Sequence, residues 1–233
     1  MTPTLLSSLD SLAAWRRALD RSVDQISRLL DDSKLLDAPA QALAASVRQR
    51  LGSDRLVLAF VAEFSRGKSE LINALFFADT GQRVLPATPG RTTMCPVELA
   101  WDGDLPAQLS LLPIATRSTG QTMAALREQA DAWQHLPLTP EDAAGMALAL
   151  QVVVQTKRVP VDEARALGLW NDEHPEDNPP RGADDSVEVP AWRHALINYP
   201  HPLLKRGLVV LDTPGLNAKI GRASCRDRVC LAV

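Results

Sequence analysis

The sequence predicts an α/β fold organised around a phosphate-binding loop, and three observations predict it. Residues 55–62 (RLVLAFVA) form a near-continuous apolar run, followed by the loop EFSRGK and the apolar, helix-like SELINALFF. Residues 207–211 (GLVVL) form a second apolar run, which ends in Asp212-Thr213-Pro214-Gly215. Between the two lies a loop rich in Thr, Pro, Gly and Arg, ending Gly90-Arg91-Thr92-Thr93-Met94-Cys95-Pro96. Strand, glycine-bearing loop and helix in that order are the setting a phosphate loop needs. The valine- and leucine-rich run before the loop suits a strand buried on both faces of a sheet.

The remaining elements follow from periodicity and turn chemistry. Leu5, Leu9, Leu12 and Trp15, then Val23, Ile26, Leu29 and Leu30, recur at helical spacing. Pro39 interrupts that pattern, and a second helix is expected from Ala40 to Leu51, ended by Gly52 and Ser53. Pro96–Trp101 and Gln108–Leu112 read as strands joined by a turn at Asp102-Gly103-Asp104. Residues 121–135 read as a helix, and Thr139-Pro140 as the start of another that should reach about Lys157. A short helix is expected over Val161–Leu169. Residues 171–186 are acidic, proline-rich and read as an exposed loop. Ala191–Tyr199 reads as a strand. Of the five tryptophans, Trp101, Trp133, Trp170 and Trp192 are expected to pack. His135, His174, His194 and His201 have no metal-ligand spacing.

Composition narrows the function classes. The chain has 233 residues, 45% hydrophobic, enough for one sizeable core or one domain with a helical arm. A net charge of −3 supplies no basic field for nucleic acid. No stretch approaches the ~20 apolar residues of a membrane-spanning helix, and the start lacks a secretory pattern. A cytoplasmic protein is expected. Three cysteines, Cys95, Cys225 and Cys230, form no CxxC pair and fit a reducing compartment.

The chemistry concentrates in Ala62-Glu63-Phe64-Ser65-Arg66-Gly67-Lys68-Ser69, against the pattern G-x-x-x-x-G-K-[ST]. Backbone amides from Ser65 to Ser69, at the start of the following helix, can wrap a β-phosphate. Lys68 places a point charge between β- and γ-phosphates, and the Ser69 hydroxyl suits Mg²⁺. Glu63 to Glu70 are therefore the candidate nucleotide-binding stretch. Ala62 replaces the usual first glycine, adding a methyl group that disfavours positive φ. Asp212, at a strand end, suits a Mg²⁺-bound water, and Gly215 can offer its amide to a γ-phosphate. A threonine of the loop at 90–96 can join the Mg²⁺ shell when γ-phosphate is present.

Together, EFSRGKSELINAL, LPATPGRTTMCPVELAW and GLVVLDTPGLN resemble the bacterial dynamin-like GTPases over about residues 55–217. The resemblance implies a Ras-like α/β GTPase domain, here incomplete, that binds GTP and GDP with Mg²⁺, dimerises across the nucleotide and often remodels or tethers membranes. It implies that Lys68 and Ser69 are phosphate and Mg²⁺ ligands, that Thr93 is the switch threonine, and that Asp212 and Gly215 are the second-switch pair. Ser65 matches a loop serine that helps hold a charge-compensating monovalent cation. Lys68, Thr93 and Ser65 are thus the expected catalytic residues, and Ser69, Thr93 and Asp212 the expected metal ligands. Phe64 stands where eukaryotic dynamins have a glutamine that places the attacking water, a task phenylalanine cannot perform. The guanine-reading [TN]-K-x-D motif is absent, so guanine specificity rests on the resemblance.

The expected organisation is a helical arm over 1–52, a partial GTPase domain over 53–218 with a largely helical insertion at 104–190, and a tail at 219–233. The closing KIGRASCRDRVCLAV resembles a translated sequencing-adaptor read and is expected to be non-native, making the chain a fragment. Residues 56–61 would then be a central strand left with one side unpaired. Hydrolysis of GTP is the leading expectation. A P-loop ATPase or kinase of another class is one alternative, and a non-hydrolysing nucleotide-gated scaffold, suggested by Phe64 and Ala62, is another.

Overall fold

The computed structural model describes residues 4–52, 55–61, 67–86 and 95–213. The chain divides into two compact units, one formed by the residues up to Leu56 with Pro202–Leu208, the other by Val57–His201 with the chain from Val209.

In the first unit, α1 spans Leu5–Asp32 and is capped by Thr4, whose side chain accepts from the Ser7 amide. The second helix, α2, spans Ala38–Gly52. Asp37 Oδ1 accepts from the Ala40 amide at 2.8 Å. Pro39 lies in this first turn, where its missing N–H is no loss. It opens the helix rather than ending one. The two helices pack on each other. Arg48 spans the pair, donating to Asp20 and Asp24 at 3.0 Å each. Arg206, in a 3-10 turn at Leu204–Arg206, donates to Asp10 at 2.8 Å.

The second unit is built on a six-stranded sheet. Its strands are β1 (Leu56–Phe60), β2 (Val97–Ala100), β3 (Gln108–Pro113), β4 (Gln134–Pro137), β7 (Trp192–Asn198) and β8 (Leu208–Asp212), in the order β1-β8-β2-β7-β3-β4. The strand before the phosphate loop therefore neighbours the strand that ends at Asp212, and that strand neighbours the one after the threonine loop. β2 runs antiparallel to β8 and parallel to β7. β3 runs antiparallel to both β7 and β4. This is the expected α/β organisation, and helix α3 (Lys68–Phe76) follows the phosphate loop as expected.

Two expectations need correction. Residues 104–190 are not largely helical. They contribute β3 and β4 to the main sheet, and a separate antiparallel pair, β5 (Thr156–Pro160) with β6 (Ser186–Pro190). Their helices are short: α4 (Met123–Arg127), α5 (Ala143–Leu150) and α6 (Val161–Ala166). The expected helix at 121–135 stops at Arg127 because the Trp133 indole turns inward, donating to the Leu126 carbonyl at 2.7 Å. The chain then joins β3 as β4. The helix expected from Thr139 is instead capped by Asp142, which accepts from the Gly145 amide at 2.9 Å. Val159, Val187 and Val189 carry a period of two that buries them with Ile114, Ala164, Leu167 and Leu169 under β5 and β6. Trp170 packs on that core, and Trp192 donates to the Val152 carbonyl at 2.8 Å, so these tryptophans, like Trp133, pack as expected.

The second correction concerns β1. A strand buried on both faces was expected, yet Val57 and Leu58 are 47% and 44% exposed. Among the described residues, β1 lies at the end of the sheet, with β8 as its one neighbour.

Candidate phosphate and magnesium site

Gly67 precedes α3 with φ of 76°, a left-handed conformation that favours glycine. Among the described residues, nothing lies within 4 Å of where a Cβ would stand. Backbone shape rather than crowding therefore explains this glycine. Lys68 and Ser69 open α3, and the amides of a first helical turn have no partners within the helix. Such a turn attracts anions.

Asp212 is the last residue of β8 and is 3% exposed. The Ser69 hydroxyl donates to Asp212 Oδ2 at 2.7 Å. Two residues 143 apart in sequence are thus brought together as a hydroxyl and a carboxylate. Both are hard oxygen donors of the kind that Mg²⁺ takes, one or two at a time, alongside phosphates and water. The residues present therefore fit that ion. Among the described residues, no group of three or more His, Cys, Asp or Glu is placed to hold a metal.

Three neighbours were not singled out from the sequence. Thr213 follows Asp212, is buried, and donates its hydroxyl to the Phe60 carbonyl at 2.9 Å. It fastens the end of β1 beside the carboxylate. Asn73, one turn along α3 from Ser69, is buried as well. Its side chain accepts from the amides of Val84 and Leu85 at 3.1 and 2.8 Å and donates to the Leu85 carbonyl at 2.9 Å. Cys95 is buried ahead of β2. Burial, with the Asp212 carboxylate nearby, pushes its thiol up to about 12. Asn73 had a signal, as an amide inside an otherwise apolar helix. Thr213 and Cys95 had none beyond adjacency to a motif.

Of the expected site residues, Gly67, Lys68, Ser69, Glu70 and Asp212 are described. Glu70 pairs with Arg83 at 3.1 Å. Glu63, Phe64, Ser65, Arg66, Thr93 and Gly215 lie outside the described residues, as does the tail at 219–233.

A second polar cluster lies where α4 meets β2 and β7. Glu98 of β2 meets Arg127 of α4 at 2.5 Å and lies 3.6 Å from His194 Nε2 of β7. Burial pushes the Glu98 carboxyl up, but His194 and Arg127 overcome it and hold it at about 2. Burial lowers His194 below its usual value. His135 Nδ1 lies 2.9 Å from the Ser110 hydroxyl.

No helix among the described residues is long and apolar enough to cross a membrane. No curated protein sequence matches this one. Two solved structures, both described as an oligomerised bacterial dynamin pair that provides a mechanism for long-range sensing and tethering of membranes, are similar to the chain. One has 13% identity and a TM-score of 0.42, the other 14% and 0.43. In each case 96% of this chain is covered but only 27% of the other, so this chain spans about a quarter of their length. The family model described as the dynamin family matches residues 58–229. That stretch takes in the phosphate loop, the threonine loop and the Asp212 motif, and the chain therefore belongs to the dynamin family.

Proposed function

We propose that the chain is the nucleotide-binding part of a GTPase that hydrolyses GTP to GDP and phosphate. The observation that carries this reading is the 2.7 Å hydrogen bond from Ser69 at the start of α3 to Asp212 at the end of β8. It couples the two halves of a Mg²⁺–phosphate site. Lys68 would bear on the β- and γ-phosphates, while the amides opening α3 wrap the β-phosphate. Ser69, Asp212 and Thr93 would hold Mg²⁺, which when bound neutralises charge developing on the phosphate oxygens. Water attacks the γ-phosphorus in line, and catalysis is chiefly positioning and charge stabilisation. Phe64 leaves water placement to another group. Ser65 would help hold a monovalent cation. Family membership supports nucleotide-dependent self-association and a membrane-linked role in the longer protein.

The test is calorimetry with GTP and Mg²⁺. Lys68→Ala and Ser69→Ala should each weaken binding by about 10- to 100-fold, the loss of a contact to a charged group. Unchanged affinity in both variants defeats the assignment. ATP displacing GTP at similar concentration would favour an ATPase or kinase. Tight, Mg²⁺-dependent GTP binding with no phosphate release would favour the nucleotide-gated scaffold.

A further inference from the structure

The hydroxyl of Thr213 joins two chain segments that flank the phosphate loop. β1 ends at Phe60, just before the loop motif opens at Ala62. β8 ends at Asp212, so Thr213 is the first residue past the strand. Its side chain is 2% exposed and donates to the Phe60 carbonyl at 2.9 Å. A side chain thus continues the attachment of β1 to β8 where the strand β8 has stopped. The preceding residue, Asp212, accepts from the Ser69 hydroxyl at 2.7 Å. Two consecutive residues, with Cα atoms about 3.8 Å apart across a trans peptide, therefore hold the chain on both sides of the phosphate loop, at Phe60 before it and Ser69 after it.

We infer that Thr213 is a positioning residue for nucleotide, fixing where the phosphate loop begins relative to Asp212 before any nucleotide binds. The inference rests on the nucleotide-binding reading proposed above. Packing does little to hold β1 in place. Four of its five residues are exposed, and among the described residues β8 is its one neighbour. A strand end attached to one neighbour frays readily when a hydrogen bond is lost. The far side of the loop is set differently, by helix α3, whose first turn contains Ser69. The amides opening that helix serve the β-phosphate, which GTP and GDP share. Thr213 therefore acts on both nucleotides alike, unlike Gly215, whose expected partner is the γ-phosphate. A buried threonine that merely fills space would tolerate valine, which keeps its shape, better than serine, which loses a methyl group. A threonine that acts through its hydroxyl requires the opposite order.

The experiment compares Thr213→Val and Thr213→Ser with the parent chain. Hydrogen exchange of amides 61–69 is read by mass spectrometry without nucleotide, and calorimetry measures GDP and GTP binding with Mg²⁺. Thr213→Val should speed exchange by about 3- to 10-fold, the loss of one neutral hydrogen bond. It should raise the dissociation constants of GDP and GTP by one common factor in about the same range. Thr213→Ser should stay close to the parent in both readouts. If Thr213→Val does not fold, Thr213→Ala takes its place against Thr213→Ser. Unchanged exchange without the hydroxyl, a Thr213→Ser variant as impaired as Thr213→Val, or a loss confined to GTP would each overturn the inference. A parent chain that binds neither nucleotide would defeat the proposed function instead, and the exchange comparison would still decide whether Thr213 holds the loop.

Discussion

β1 and β8 are near-identical as text and opposite in environment. LVLAF and LVVLD are both short, aliphatic and adjacent in one sheet. Every residue of β8 is buried, whereas four of the five in β1 are exposed. The difference is one of neighbours. β8 lies between β1 and β2, while β1, among the described residues, has β8 alone. An apolar run therefore reports a capacity for burial, and the partners on either side decide whether that capacity is used.

The comparison can be broken by placing the same charge in both strands. Val210 of β8 is completely buried. Val210→Asp should cost more than about 4 kcal/mol and abolish cooperative unfolding, because an unpartnered carboxylate has no place in that interior. Leu58→Asp, on the 44% exposed strand position, should cost less than about 1 kcal/mol. Urea denaturation followed by circular dichroism reads both. Equal losses would mean that β1 is covered as thoroughly as β8.

The limits of the sequence follow the same logic. The two apolar runs were located to within one or two residues, and so was the helix after the phosphate loop. The pairing of Ser69 with Asp212 was implied by motif chemistry alone. Sequence did not show that Val159, Val187 and Val189 belong to strands, because each run is too short for its period of two to stand out. It did not show that Trp133 would turn inward and end a helix either. Those outcomes depend on contacts with residues distant in the chain, as does the exposure of β1. Asn73 and Thr213 were missed because their value lies in the backbone groups they meet, which no side-chain pattern records.

Glu98 sharpens the comparison, since it is a charge the interior already tolerates. It sits opposite Leu211 of β8 in the β2–β8 register. Arg127 and His194 make the difference between it and an aspartate at 210. Glu98→Gln should cost about 3 kcal/mol at neutral pH by leaving Arg127 without its carboxylate. The pH dependence has a definite sign. The folded value of about 2 lies below the ordinary glutamate value of 4.5, so the stabilisation is complete above about pH 4.5 and is lost as pH falls toward 2. His194, lowered by burial, adds acid destabilisation beginning below its unperturbed value of about 6.5. Urea midpoints measured from neutral to acid pH should fall for the parent and fall less steeply below pH 4.5 for Glu98→Gln. A parallel decline in the two proteins would remove Glu98 as the cause.

The smallest effect expected tests whether the contrast between covered and uncovered surfaces holds within one short helix. Two residues of α3, Asn73 and Leu75, differ in what they reach. Asn73 is 6% exposed and ties down Val84 and Leu85 through three hydrogen bonds. Leu75 is 47% exposed. By residue type alone, removing the leucine side chain looks the costlier change, since a buried leucine typically loses 2–5 kcal/mol on truncation. Environment reverses that order. Asn73→Ala leaves two amides and a carbonyl buried without their partner, at about 2 kcal/mol, softened if water enters the space. Leu75→Ala gives up surface that is already half in water and gains helix propensity, so its net cost should stay below about 1 kcal/mol. Asn73→Asp separates shape from hydrogen bonding. It keeps an acceptor for the two amides but cannot donate to the Leu85 carbonyl, and should fall between the parent and Asn73→Ala. If Leu75→Ala proves the more damaging, the exposed face of α3 is covered in solution, and the uncovered surface of β1 must be reconsidered with it.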